Sequence, residues 1–110
     1  MDERTERLAE NESLFRSINE LIEQAATTTG VDQHVYEFLC ECSDSTCTLL
    51  LPLTVAEYEQ VRADSTQFLV APGHVVADIE NVVAERGPYV VVRKVGDAAE
   101  YVGQRDPRTL

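Results

Sequence analysis

All three cysteines of this 110-residue chain, Cys40, Cys42 and Cys47, lie in one stretch, EFLCECSDSTCTLLLP. That C-x-C-x4-C spacing constrains the fold more than any other feature. Free cysteine often behaves as a small buried hydrophobe, but three used only for packing would be scattered through a core. Residues 34–41 and 47–53 on either side are rich in Val, Tyr, Phe and Leu and read as two strands. The four residues Ser43-Asp44-Ser45-Thr46 are turn formers. The expected unit is a β-hairpin with the thiols at its tip.

Strand side chains alternate, so Cys40 and Cys42 are expected on one face with Glu41 pointing away. The turn then brings Cys47 back toward the pair. Three converging thiolates call for a fourth donor, and thiolates plus imidazole are the usual ligands of tetrahedral zinc. The chain offers His34 and His74. His34 is six residues from Cys40, about 20 Å along a strand, too far for one ion. His74 follows Ala71-Pro72-Gly73, where Pro at the second and Gly at the third position predict a type II turn that fixes the backbone. The expected site is therefore Cys40, Cys42, Cys47 and His74 around zinc. Three thiolates, a neutral imidazole and Zn²⁺ leave one net negative charge, which amides of the Ser43–Thr46 turn can offset.

Along the rest of the chain, residues 3–28 read as a helix. Leu8, Phe15, Ile18, Ile22 and Ala25 form a stripe expected to face the sheet, with Leu14 and Leu21 beside it. Asn11 interrupts that stripe, as a polar residue does in a helix–helix seam. Thr27 to Thr29 and Gly30 are expected to stop the helix, with Gly30 just past its end. Thr54 and Glu57 predict a capping box opening a helix over 54–64, with Leu53 and Tyr58 as a hydrophobic staple. Residues 67–71 and 89–95 read as strands. Residues 75–86 follow helical spacing, with a strand as the competing reading because valines favour sheets. On the helical reading, His74 sits at a positive helix end that favours the neutral, metal-binding imidazole. Asp97 and Glu100 suggest a short capped helix to about residue 102, followed by a tail.

The fold class is thus α+β: a long N-terminal helix, then a small sheet with short helices, stapled by a zinc-type site. The organisation expected is a docking or dimerisation helix over 1–30, a metal-binding domain over 31–103 and a tail over 104–110.

Charge restricts the partners. The formal net charge is −11 and Lys94 is the single lysine. Phosphates of DNA, RNA or anionic lipid would be repelled. The longest apolar run, residues 49–53, is too short to span a membrane. The opening MDERTERLAE has no apolar leader segment, so the chain reads as cytoplasmic, where thiols stay reduced and act as ligands or redox groups.

Several segments resemble a family of small actinobacterial proteins: NESLFRSINELI (residues 11–22), FLCECSDSTC, EYEQVR, APGH and YVVVRK. The resemblance covers residues 11–94. One departure is Val75, where that family carries an acidic residue after the histidine; it touches the start of the following element and leaves His74 in place. The resemblance is consistent with the metal site and supplies no activity.

Three function classes follow. The first is a zinc-stabilised regulatory or interaction module with a protein partner, including a second copy of the chain through the N-terminal helix. The second is a thiol-based redox or metal sensor using the same cysteines. The third is an enzyme, for which no hydrolase, phosphate-loop, metalloprotease or dinucleotide motif is present. Glu41 beside an open metal position would be its base, but that side chain is expected to face away from the cysteines.

Overall fold

In the computed structural model, residues 1–29 and 33–109 are described. Helix α1 (Glu3–Thr29) is followed by β1 (Val35–Leu39), β2 (Leu50–Thr54), α2 (Val55–Arg62), β3 (Gln67–Val70), β4 (Glu80–Glu85), β5 (Val90–Lys94) and α3 (Gly96–Gln104). A 3-10 turn, Pro107–Thr109, follows. This is the α+β arrangement expected. Two small antiparallel sheets are present among the described residues: β1–β2, and a three-stranded sheet in the order β3-β5-β4. Gly30 lies outside the described residues.

The hairpin forms as read, with Val35 opposite Thr54 and Leu39 opposite Leu50. Thr54 caps α2: its hydroxyl accepts from the Glu57 N–H at 3.2 Å, and the Glu57 carboxylate accepts from the Thr54 N–H at 2.8 Å. Leu53 and Tyr58 on either side of that cap are both fully buried. Phe38 stacks on Tyr58, centroids 4.5 Å apart, which joins the hairpin to α2. Phe68, Leu69, Val70 and Val92 complete the core between the two sheets and α1.

Four expectations are corrected. Residues 75–86 are not a helix: residues 80–85 are strand β4, paired to β5 with a bulge between Val82 and Ala84. Two adjacent β-branched valines fit a pleated surface, and pairing with β5 outweighs the helical spacing. Asp97 does not cap α3; the N-cap is Val95, with no side-chain cap bond. The segment read as a tail is docked. Asp106 is buried against Arg62, and Arg108 reaches Glu20, Glu23 and Glu59.

The fourth concerns α1, which turns its polar face inward. Ala9, Glu12, Arg16, Asn19, Glu20, Glu23 and Ala26 are buried, whereas Leu14, Ile18 and Leu21 are exposed. Partners waiting on the sheet and α2 explain the inversion. Glu12 pairs with the buried Lys94. Arg16 donates to the carbonyls of Ser65 and Val102 and lies over the Phe68 ring at 4.5 Å. Glu20 accepts from the Tyr58 hydroxyl at 2.8 Å and faces Arg62 at 3.4 Å. Buried charges are tolerated when they are paired in this way. Ile22 still packs on the core cluster from the flank of the helix.

Candidate metal centre

The cysteines sit just past the end of β1, in the connection to β2, not within the strands. The Cys40 N–H still donates to the Leu49 carbonyl at 3.0 Å, so the hairpin closes immediately below them. Asp44 shapes the tip: its carboxylate accepts from the Thr46 N–H at 2.9 Å and from the Thr46 hydroxyl at 2.7 Å. The Cys47 N–H then donates to the Asp44 carbonyl at 3.0 Å, which folds Cys47 back over Cys40 and Cys42.

His74 arrives from the other sheet. Gly73 has φ +86°, and the His74 N–H donates to the Ala71 carbonyl at 3.0 Å, the turn that the Pro-Gly pair predicts. No helix follows His74, so the helix dipole expected there is absent; the turn fixes the backbone that carries the ring. Its Nδ1 lies 3.7 Å from the sulfurs of both Cys40 and Cys47. One ligand atom from each of Cys40, Cys42, Cys47 and His74 falls within 4.8 Å of all the others.

These distances fit an ion. Zinc bonded to sulfur at about 2.3 Å and to nitrogen at about 2.0 Å in a tetrahedron places sulfur and nitrogen roughly 3.5 Å apart. Thiols packed only as hydrophobes have no reason to surround an imidazole nitrogen. His34 is exposed, rests against the Tyr36 ring at 4.5 Å and is not part of the group.

The electrostatics divide the thiols. Cys40 is drawn below the usual thiol range because Cys42 donates to its sulfur, and the Ala71 N–H, 3.1 Å away, adds to the effect. Cys42 is pushed well up, as the donor in that pair and by burial. Cys47 is also raised, first by burial. Cys40 is thus the first thiolate, and a cation that replaces the shared protons removes the penalty on the other two.

Glu41 points away from the sulfurs, as alternation predicts. It is fully buried, and burial pushes its carboxyl up to about 7 although Asn19 and the Leu69 N–H both donate to it. It cannot reach the ligand group as a base.

Sequence reasoning overlooked what stands behind the cysteines. Asn11 and Asn19 of α1 bond to the segment that carries Cys40 and Cys42. The signal was present, since Glu12, Arg16, Asn19 and Glu23 recur at spacings of three and four. A search for apolar stripes passes over it. No helix of the described residues is long and apolar enough to cross a membrane. No family model, curated protein or solved structure matches the chain.

Proposed function

We propose that the chain is a zinc-stabilised interaction or regulatory module, in which Cys40, Cys42, Cys47 and His74 hold one structural zinc ion. The convergence of three sulfurs and one imidazole nitrogen within 4.8 Å carries this reading. Four protein donors leave no open coordination position, so the metal's role is to join the β1–β2 hairpin to the turn after β3. Zinc sites of this kind contribute roughly 10 kcal/mol or more to folding. The exposed Leu14, Ile18 and Leu21 on the outer side of α1 support a protein partner there, including a second copy of the chain. Elemental analysis of purified protein tests the site. One zinc per chain, lost in Cys47→Ser, is expected, and chelation should lower the melting temperature. Unchanged melting and circular dichroism after chelation would overturn the reading.

A thiol sensor using the same cysteines is the second reading. Cys47 is only partly buried, and a cleft lined by Cys42, His74 and Val75 opens beside the group. Thiol counting after mild peroxide separates the two: metal-loaded protein that keeps three unreacted thiols rules the sensor out.

A further inference from the structure

The segment from residue 39 to residue 43 presents two faces. Cys40 and Cys42 belong to the ligand group. The intervening residues turn toward α1. The Asn19 Oδ1 accepts from the Leu39 N–H at 2.8 Å, and its Nδ2 lies 2.9 Å from both the Leu39 carbonyl and the Glu41 carboxylate. Asn11, about two helical turns earlier, donates to the Ser43 carbonyl at 2.8 Å. The second Glu41 oxygen accepts from the Leu69 N–H at 3.0 Å, which ties the same segment to β3. Helix α1 therefore grips alternate residues 39, 41 and 43, each next to a metal-ligating cysteine.

We propose that Asn11 and Asn19 are positioning residues for the metal, so that metal occupancy and the seating of the hairpin tip on α1 strengthen each other. The proposal rests on the metal-site reading above. The connection between β1 and β2 has few backbone bonds of its own: Cys40 to Leu49, the turn bond from Cys47 to Asp44, and one from the Glu41 N–H to the Leu69 carbonyl of β3 at 2.8 Å. Its sulfurs must nonetheless be held close to tetrahedral positions. Asn19 supplies Leu39 with both a donor and an acceptor, the pair a neighbouring strand would offer. Coupling of this kind is reciprocal: what α1 contributes to metal affinity, the metal returns as protection of α1. Glu12, Arg16 and Glu20 have separate partners in Lys94, Ser65, Val102, Tyr58 and Arg62. Losing an asparagine therefore loosens the thiol segment without detaching the helix.

The test measures zinc affinity by competition with a chromophoric chelator, together with the ligand-field spectrum of cobalt(II) at the same site. It compares the wild type, Asn19→Ala and Arg7→Ala, the last an exposed position of α1. Asn19→Ala is expected to bind zinc tenfold to a hundredfold more weakly and to alter the cobalt spectrum. Arg7→Ala should match the wild type. Added zinc should also slow hydrogen exchange in wild-type α1 around residues 11–19. Should Asn19→Ala fail to fold, Asn11→Ala, which removes a single bond, carries the same comparison. A wild type that binds neither metal overturns the metal reading itself. A wild type that binds, with asparagine variants that bind equally tightly, overturns this inference alone.

Discussion

Lys94 ends against Glu12 inside the fold, with Glu80 on its other side, and none of the three side chains is more than 1% exposed. The chain's one lysine thus sits where α1, β4 and β5 meet. Lys94→Met would leave two carboxylates buried without a cation. The expected loss is about 3–5 kcal/mol at neutral pH, read from urea denaturation. Replacing the set together, with Lys94→Met, Glu12→Leu and Glu80→Leu, should recover most of that loss, since well-packed apolar groups substitute for a buried ion pair. A triple variant as unstable as the single one would show that the charges themselves hold α1 in place.

The inverted helix gives a second expectation. Leu21 is 65% exposed and Arg16 is fully buried. Leu21→Gln should change stability by less than about 0.5 kcal/mol, as exposed substitutions do. Arg16→Leu removes two bonds to backbone carbonyls and should cost about 2–4 kcal/mol. Equilibrium unfolding of both variants checks the order. The opposite ranking would mean that the apolar stripe faces inward after all.

That inversion marks where the sequence was legible and where it was not. Local chemistry read through clearly: the Thr54–Glu57 capping box, the Pro72–Gly73 turn and the convergence of Cys40, Cys42, Cys47 and His74 all depend on residues close in sequence or on a rigid turn. The local pattern places helix α1 along the chain but not its rotation, because its inward face is set by charges 42 to 88 residues away in Arg62, Lys94 and Arg108. Residues 80–85 fit both a helix and a strand for a related reason, since helical spacing is a local signal and the pairing with β5 that decides for the strand is not. Asn19 belongs to the polar stripe of α1, but that stripe does not name its partners until Leu39 and Glu41 are beside it.

Gly73 is the test of the turn. Its φ of +86° lies in the left-handed region, and a Cβ there would meet nothing within 4 Å. Gly73→Ala therefore costs backbone strain alone, about 1–2 kcal/mol. Because His74 is the next residue, zinc affinity should fall along with thermal stability. A melting temperature that drops while zinc affinity stays unchanged would mean that the ring finds its place independently of the turn.

The pH dependence follows from Asp106. Burial pushes its carboxyl up; the Arg62 guanidinium and the Arg108 N–H at 2.9 Å push it down by more, so it titrates below the usual carboxylate range. A folded-state pKa depressed below the unfolded value of about 3.9 means that the unfolded chain binds the proton more readily. The resulting stabilisation is fully present above that value and fades as pH falls through the folded-state pKa. Asp106→Asn abolishes it and leaves Arg62 with Glu20 at 3.4 Å as its remaining carboxylate partner among the described residues. The variant should be less stable than the wild type by about 2–4 kcal/mol at pH 7. The gap should narrow steadily below about pH 4, where the unfolded chain takes up the proton first, and level off only once pH has fallen below the folded-state pKa. Denaturant melts of both proteins across that range read the effect directly, and a gap constant down to the lowest pH would show that Asp106 acts through shape rather than charge.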